Sequence, residues 1–237
     1  MPESKLAVFV EGQTEQIFVK KLVEEIAGAH NVKVLTYKAS GGGASGARQI
    51  VQLQAARADP AKRYYVLIVD CTNGDRVASD ILDRYQTLVQ QDFKAIIGIS
   101  DVYPRPRVDI GKLYRVMAGL QRTSPIVVDN VLAVMEVEAW FLGEHHHLAK
   151  IGAGIAVADV IHKLGFDPST DNMEDRHHPA GDLDAVYQLG GRSYNKKRNT
   201  VEATVDALDY ENLYLTLPGR MGSLRLLVDA LDRFLAS

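Results

Sequence analysis

Three short apolar runs in the first part of the chain each stop at an acid. Leu6 to Val10 leads to Glu11, Tyr64 to Val69 leads to Asp70, and Ala95 to Ser100 leads to Asp101. Runs of this length, bounded by turn residues, predict strands buried on both faces. Amphipathic stretches separate them. Phe18, Leu22 and Ile26 recur four apart, with Val19 and Val23 beside them, which predicts a helix from Gln13 to Gly28. Thr14 and Glu15 suit its first turn and Gly28 its end. Val32 to Thr36 predicts a short second strand. Ala39 to Gly46 is a glycine- and serine-rich loop without the spacing, or the Gly-Lys-Ser/Thr ending, of a P-loop. Ala47 to Ala58 predicts a weak amphipathic helix, stopped by Asp59-Pro60. Ile81, Leu82, Tyr85, Leu88 and Val89 share one face of a helix from about Ala78 to Gln91. Leu113, Val116, Met117 and Leu120 mark another, and Ile126 to Met135 predicts a further strand.

From about Gly143 the pattern is helical: Ala156 to Leu164, Asp182 to Leu189, Thr200 to Leu208 and Ser223 to Leu235. Asp167 to Pro179 is polar and predicts a loop or flap. Alternating strands and helices followed by helices predict an α/β fold, a mostly parallel sheet flanked by helices with a helical C-terminal annex. The predicted division is an α/β domain over 1–142 and a helical extension over 143–237.

Charge and composition narrow the function. The 237 residues are 46% hydrophobic and 24% charged, ordinary for a globular protein. The net charge of -3 excludes a basic coat for nucleic acid, so any such contact must be local. The single cysteine, Cys71, excludes an internal disulfide framework and a multi-cysteine zinc site. No run is long enough to span a bilayer, and the start lacks a signal-peptide core. A cytoplasmic protein is expected.

The candidate chemistry is in the acids. In open α/β sheets the carboxyl ends of the strands carry the ligand site. Glu11, Asp70 and Asp101 are predicted at that edge, with Asp75 after the Asn73-Gly74 turn and Glu136 or Glu138 after the later strand. A single acid after a strand is ordinarily a helix cap or turn residue. Several converging on one edge point to a cation, because clustered carboxylates repel unless an ion binds between them. Hard oxygen donors suit Mg2+ or Mn2+. Arg105 and Arg107, set between prolines, and the run Lys196-Lys197-Arg198 are candidate phosphate contacts, or else solvated surface. The runs His145-His146-His147 and His177-His178 are expected at the surface, since adjacent histidines seldom meet on one ion.

The stretch Glu11-Gly12-Gln13-Thr14-Glu15 between strand and helix, with a later strand ending in Asp70, resembles the Toprim domain of topoisomerases, primases, recombination factors and OLD-family nucleases. Together with Glu136-Val137-Glu138-Ala139-Trp140-Phe141, it is most similar to a Toprim-like bacterial family of unknown function, often encoded beside ATPases and associated with defence against foreign DNA. The resemblance covers Leu6 to about Leu142, and Tyr194-Asn195-Lys196 is compatible with it. It implies a Mg2+-dependent nuclease with Glu11 and Asp70 as the catalytic acids and Asp75, Asp101 and Glu138 as further metal ligands. It also implies DNA in preference to RNA as substrate and an ATPase partner, and it leaves room for an oligomer. Thr72 stands where the family's second Asp belongs. That departure keeps open a non-catalytic binding or regulatory subunit. A third reading, dinucleotide binding, lacks its Gly-x-Gly-x-x-Gly fingerprint.

Overall fold

A computed structural model describes residues 4–42, 46–53, 62–120 and 124–236. Six strands run in chain order: β1 (Ser4–Val10), β2 (Val32–Ser40), β3 (Gln49–Gln52), β4 (Tyr64–Asp70), β5 (Ala95–Asp101) and β6 (Val128–Ala133). They form one sheet in the order β3-β2-β4-β1-β5-β6. β1 pairs in parallel with β4 and β5, and β2 in parallel with β4; among the described residues only β2 and β3 pair antiparallel. Along β5 and β6 the bonds Ile96 N to Val127 O and Val102 N to Ala133 O advance together, as a parallel pair requires. The predicted α/β class is therefore what the chain adopts. The short, aliphatic runs became strands because both faces are covered: Leu6 to Val10 is wholly buried.

The helices are α1 (Gln13–Ala27), α2 (Gly74–Gln90), α3 (Ile110–Leu120), α4 (Glu138–Gly143), α5 (Val157–Leu164), α6 (Pro179–Leu189), α7 (Arg198–Ala207) and α8 (Gly222–Leu235). The connection through α1 runs from β1 past β4 to β2, and that through α2 runs from β4 past β1 to β5. With right-handed crossovers these opposite directions put α1 on one face and α2 on the other. The α2 face is filled by Ala7, Phe9, Val69 and Ile96 from the strands, packed on Val77, Ile81, Tyr85 and Leu88. Those strand positions alternate with the ones facing the other side, as the pleat demands.

Several boundaries differ from the sequence reading. β2 continues through Ser40 because Tyr37 to Ser40 find partners on β3. The helix expected over Ala47 to Ala58 is replaced at Gln49–Gln52 by β3, an edge strand whose pairing outweighs a weak helical pattern; residues 54–58 of that expectation, like 43–45 of the glycine loop, lie outside the described residues. The polar stretch Asp167 to Pro179 is not a flap. It contains the 3-10 turn Met173–Asp175, and buried Glu174 accepts hydrogen bonds from the Gly222 and Ser223 amides at 3.1 and 2.9 Å. Ser223 in turn takes the Trp140 indole N–H at 2.9 Å.

The chain forms two compact units. One comprises Met1–Ser100, Asp109–Leu132 and Asp229–Ser237; the other comprises Asp101–Val108 and Ala133–Val228. This division differs from a cut at 142, because the last residue of β5 and the segment from Ala133 cluster with the C-terminal helices. Among the described residues no helix is long and apolar enough to cross a membrane.

In the first unit Arg48 reaches from the start of β3 to Asp80 on α2. Its Nε lies 3.0 Å from Asp80 Oδ1, and its terminal nitrogen donates to Cys71 O at 2.7 Å. The Asp80 side chain is 1% exposed. Removing one member of such a pair strands a buried charge. Arg48→Met should therefore lower unfolding free energy by about 3 kcal/mol. Arg48→Met with Asp80→Leu should lose clearly less than the summed single losses, which urea unfolding of all three variants would measure.

Candidate functional site

The sequence-predicted acids fall into two places. In the first unit, β1 and β4 are neighbours with Val10 opposite Asp70, and the helices that follow them leave to opposite faces. That is the topological switch point of an open α/β sheet, where a crevice opens at the carboxyl ends. Glu11 lies over the turn into α2: a Cβ built on Gly74 would stand 2.3 Å from Glu11 Oε2. The glycine is needed for this close approach. Glu15 closes the start of α1 by accepting the Gly12 amide at 3.0 Å. Asp70 is 4% exposed; its Oδ1 accepts the Thr72 amide at 2.7 Å and its Oδ2 is 3.9 Å from the Lys38 ammonium. Burial pushes the Asp70 carboxyl above the usual range, and the Thr72 amide and Lys38 only partly offset this.

The cap of α2 is Asn73, whose Oδ1 accepts the Asp75 amide at 2.9 Å, and Asp75 is an exposed first-turn acid. Thr72 has φ of +63°, a conformation that β-branched residues rarely adopt. Among the described residues of this unit, no three His, Cys or acid ligand atoms lie close enough to share an ion.

In the second unit they do. Asp101, Glu136 and Glu138 each offer an oxygen within 4.8 Å of the others. Asp101 ends β5 and Glu138 opens α4. Glu136 follows Met135, whose φ of +64° turns the chain after β6. Asp101 Oδ1 accepts the Val137 amide at 3.2 Å, which fixes this turn. The acids are 9%, 2% and 0% exposed. Adjacent ionised carboxylates at such distances repel by roughly 3 kcal/mol per pair at an effective dielectric near 20. Lys196 supplies the counter-charge, 3.1 Å from Glu136 Oε1, 3.3 Å from Glu138 Oε2 and 3.9 Å from Asp101 Oδ2.

The surrounding bonds hold the acids in place. Glu136 Oε2 accepts the Ala180 amide and meets His178 Nδ1, both at 2.9 Å, so it closes the N-terminus of α6 from outside. His178 is stacked on Tyr103 with centroids 5.0 Å apart. A Cβ on Gly181 would lie 2.7 Å from the His178 ring. Glu138 Oε1 accepts the Tyr194 hydroxyl at 2.8 Å, whereas its Oε2 accepts no hydrogen bond among the described residues. Burial pushes the Glu138 carboxyl up, against the pull of Lys196 and Tyr194. This trio, with a buried carboxylate oxygen that accepts no hydrogen bond among the described residues, could hold a metal ion.

The predicted phosphate contacts are placed differently. Lys196 is held by the acids. Arg107 donates to Asp175 Oδ1 at 3.0 Å and to Glu174 O, and Arg198 donates to Glu202 at 2.8 Å. Arg105 and Lys197 are exposed. The histidine runs are not uniformly at the surface, since His147 is completely buried. The contact of His178 with Glu136 has no signal in the sequence, because neither spacing nor neighbours announce it.

A second group, Glu144, His146 and Asp209, also has ligand atoms within 4.8 Å. Glu144 is committed elsewhere: its oxygens accept the amides of His146, His147 and Asp209 and the Asn212 side chain at 3.0 to 3.3 Å. It is a buried structural acid.

Comparison with known protein families, with curated proteins and with solved structures finds no match.

Burial alone would raise the Glu144 carboxyl, but His147 and the other donors bring it down from the ordinary 4.5 to about 2. A depressed acid stabilises the fold above its unfolded pKa and loses that contribution as pH falls through the folded one. Between about pH 5 and pH 2, wild type should lose about 3 kcal/mol relative to Glu144→Gln. Parallel urea titrations would show this. Curves that stay parallel across that window would contradict it.

Proposed function

We propose that the protein is a divalent-cation-dependent hydrolase of phosphodiester bonds, of the Toprim-like kind that the sequence resembles, with the ion held by Asp101, Glu136 and Glu138. The observation that supports this reading most is the buried trio, gathered on one lysine with an oxygen of Glu138 left without a donor. Two backbone positions support it further. Met135, next to Glu136, and Thr72, two residues after Asp70, have positive φ, and such outliers cluster at working sites. Glu11 and Asp70, at the carboxyl ends of neighbouring strands in the first unit, are the acids that the Toprim resemblance implies as catalytic.

A hard cation such as Mg2+ or Mn2+ would polarise a phosphate oxygen and lower the pKa of bound water. The chain's own residues supply the rest. Val137 and Ala180 amides orient Asp101 and Glu136, and Tyr194 orients Glu138. Lys197 and Arg105 are the exposed cations for backbone phosphates. DNA is the proposed substrate, with an ATPase as partner and activity in the cytoplasm.

Thr72 in place of a second acid favours a different reading, a binding or regulatory subunit that keeps the ion site and lacks cleavage. The two separate cleanly. Glu138→Gln and Asp101→Asn should abolish the rise in melting temperature that Mn2+ produces in wild type. Glu11→Gln and Asp70→Asn should leave folding intact and reduce plasmid and single-strand cleavage at least a hundredfold. Cation-dependent stabilisation with no cleavage of either substrate would establish the regulatory reading. Cleavage that survives Glu11→Gln and Asp70→Asn would remove them as the catalytic pair.

A further inference from the structure

We infer that Lys196 is a built-in competitor for the cation, displaced when an ion takes the three carboxylates; this rests on reading the trio as an ion site. The Lys196 ammonium lies 3.1 to 3.9 Å from one oxygen of each acid, so it sits where an ion would have to make its contacts. It fills that place incompletely. Glu138 Oε2 lies 3.3 Å from the nitrogen yet receives no hydrogen bond. One positive charge also faces three carboxylates, and an ammonium cannot approach as closely as a divalent ion, whose oxygen ligands lie about 2.0 to 2.6 Å away.

The two sides of the contact differ in freedom of movement. Asp101, Glu136 and Glu138 are buried and bonded to backbone or tyrosine, so they keep their places. Lys196 lies between α6 and α7 in an exposed turn, and its side chain is 45% exposed. Asn195 forms that turn by accepting the Lys197 amide at 3.0 Å and the Thr200 hydroxyl at 3.1 Å, which anchors α7 independently of Lys196. The lysine can therefore swing outward without unmaking the helix start. Ion binding and the position of this side chain become reciprocally coupled: whatever draws Lys196 away, an anionic substrate included, tightens the site for the ion.

Calorimetric titration with Mn2+ tests this on the full chain, in wild type, Lys196→Met, and each combined with Glu138→Gln. Methionine keeps the aliphatic stem and removes the competing charge. Lys196→Met should bind Mn2+ at least tenfold more tightly than wild type, and Glu138→Gln should abolish binding in both backgrounds. Equal or weaker binding by Lys196→Met, still sensitive to Glu138→Gln, would overturn the competition and leave the ion site standing. Binding that ignores Glu138→Gln, or no binding at all, would overturn both. Should Lys196→Met fail to fold, trypsin cleavage of the wild type within Lys196–Arg198 decides the same question. Mn2+ should accelerate it severalfold, and an unchanged or slower rate refutes the displacement.

Discussion

Three ionised carboxylates cannot be buried together without a counter-charge, and in the second unit Lys196 lies beside all three. The acids come from the end of β5, the turn after β6 and the start of α4. Their amide and hydroxyl donors come from Val137, Ala180 and Tyr194. Each donor favours the charged form, while burial favours the neutral one. Lys196 tips the balance in the absence of another ion. The arrangement is electrostatically unfavourable for a fold that needed only a helix cap, and a capping role accounts for Glu136 alone.

Glu144 shows what a purely structural acid looks like in the same unit. It too is fully buried, but its oxygens together accept four donors, and its carboxyl is held far below the ordinary range. Glu138 is buried to the same degree, has one oxygen without a donor, and is pushed upward. The contrast lies in satisfaction rather than burial. A satisfied acid stabilises, whereas Glu138 Oε2 has the Lys196 ammonium at 3.3 Å and no hydrogen-bond donor among the described residues.

In the first unit the governing feature is topology. β1 sits inside the sheet between β4 and β5, and the helices after β1 and β4 diverge. Gly74 lets the Glu11 carboxylate lie against the backbone at the point of divergence. Asp70 is partly neutralised by Lys38. Neither Glu11 nor Asp70 belongs to a group of three ligand residues among the described residues, whereas Asp101, Glu136 and Glu138 do.

The sheet was legible in the order of residues alone. Aliphatic runs ending in Glu11, Asp70 and Asp101 could become only buried parallel strands, since local periodicity and the need to cover both faces are properties of short segments. The helices α1 and α2 and those of the C-terminal part were legible to within a few residues, and Asp101 and Glu138 stood out as acids of interest. Gln49–Gln52 escaped because edge pairing with β2 outweighed a weak helical pattern. The partition of the acids between two places emerges only on folding. So do the contacts of Lys196 with acids up to 95 positions away, the His178 bond to Glu136 and the burial of Glu144. Charge pairing over such separations leaves no periodic trace in a sequence, because Coulomb energy depends on distance in space and on local burial, neither of which a linear pattern records.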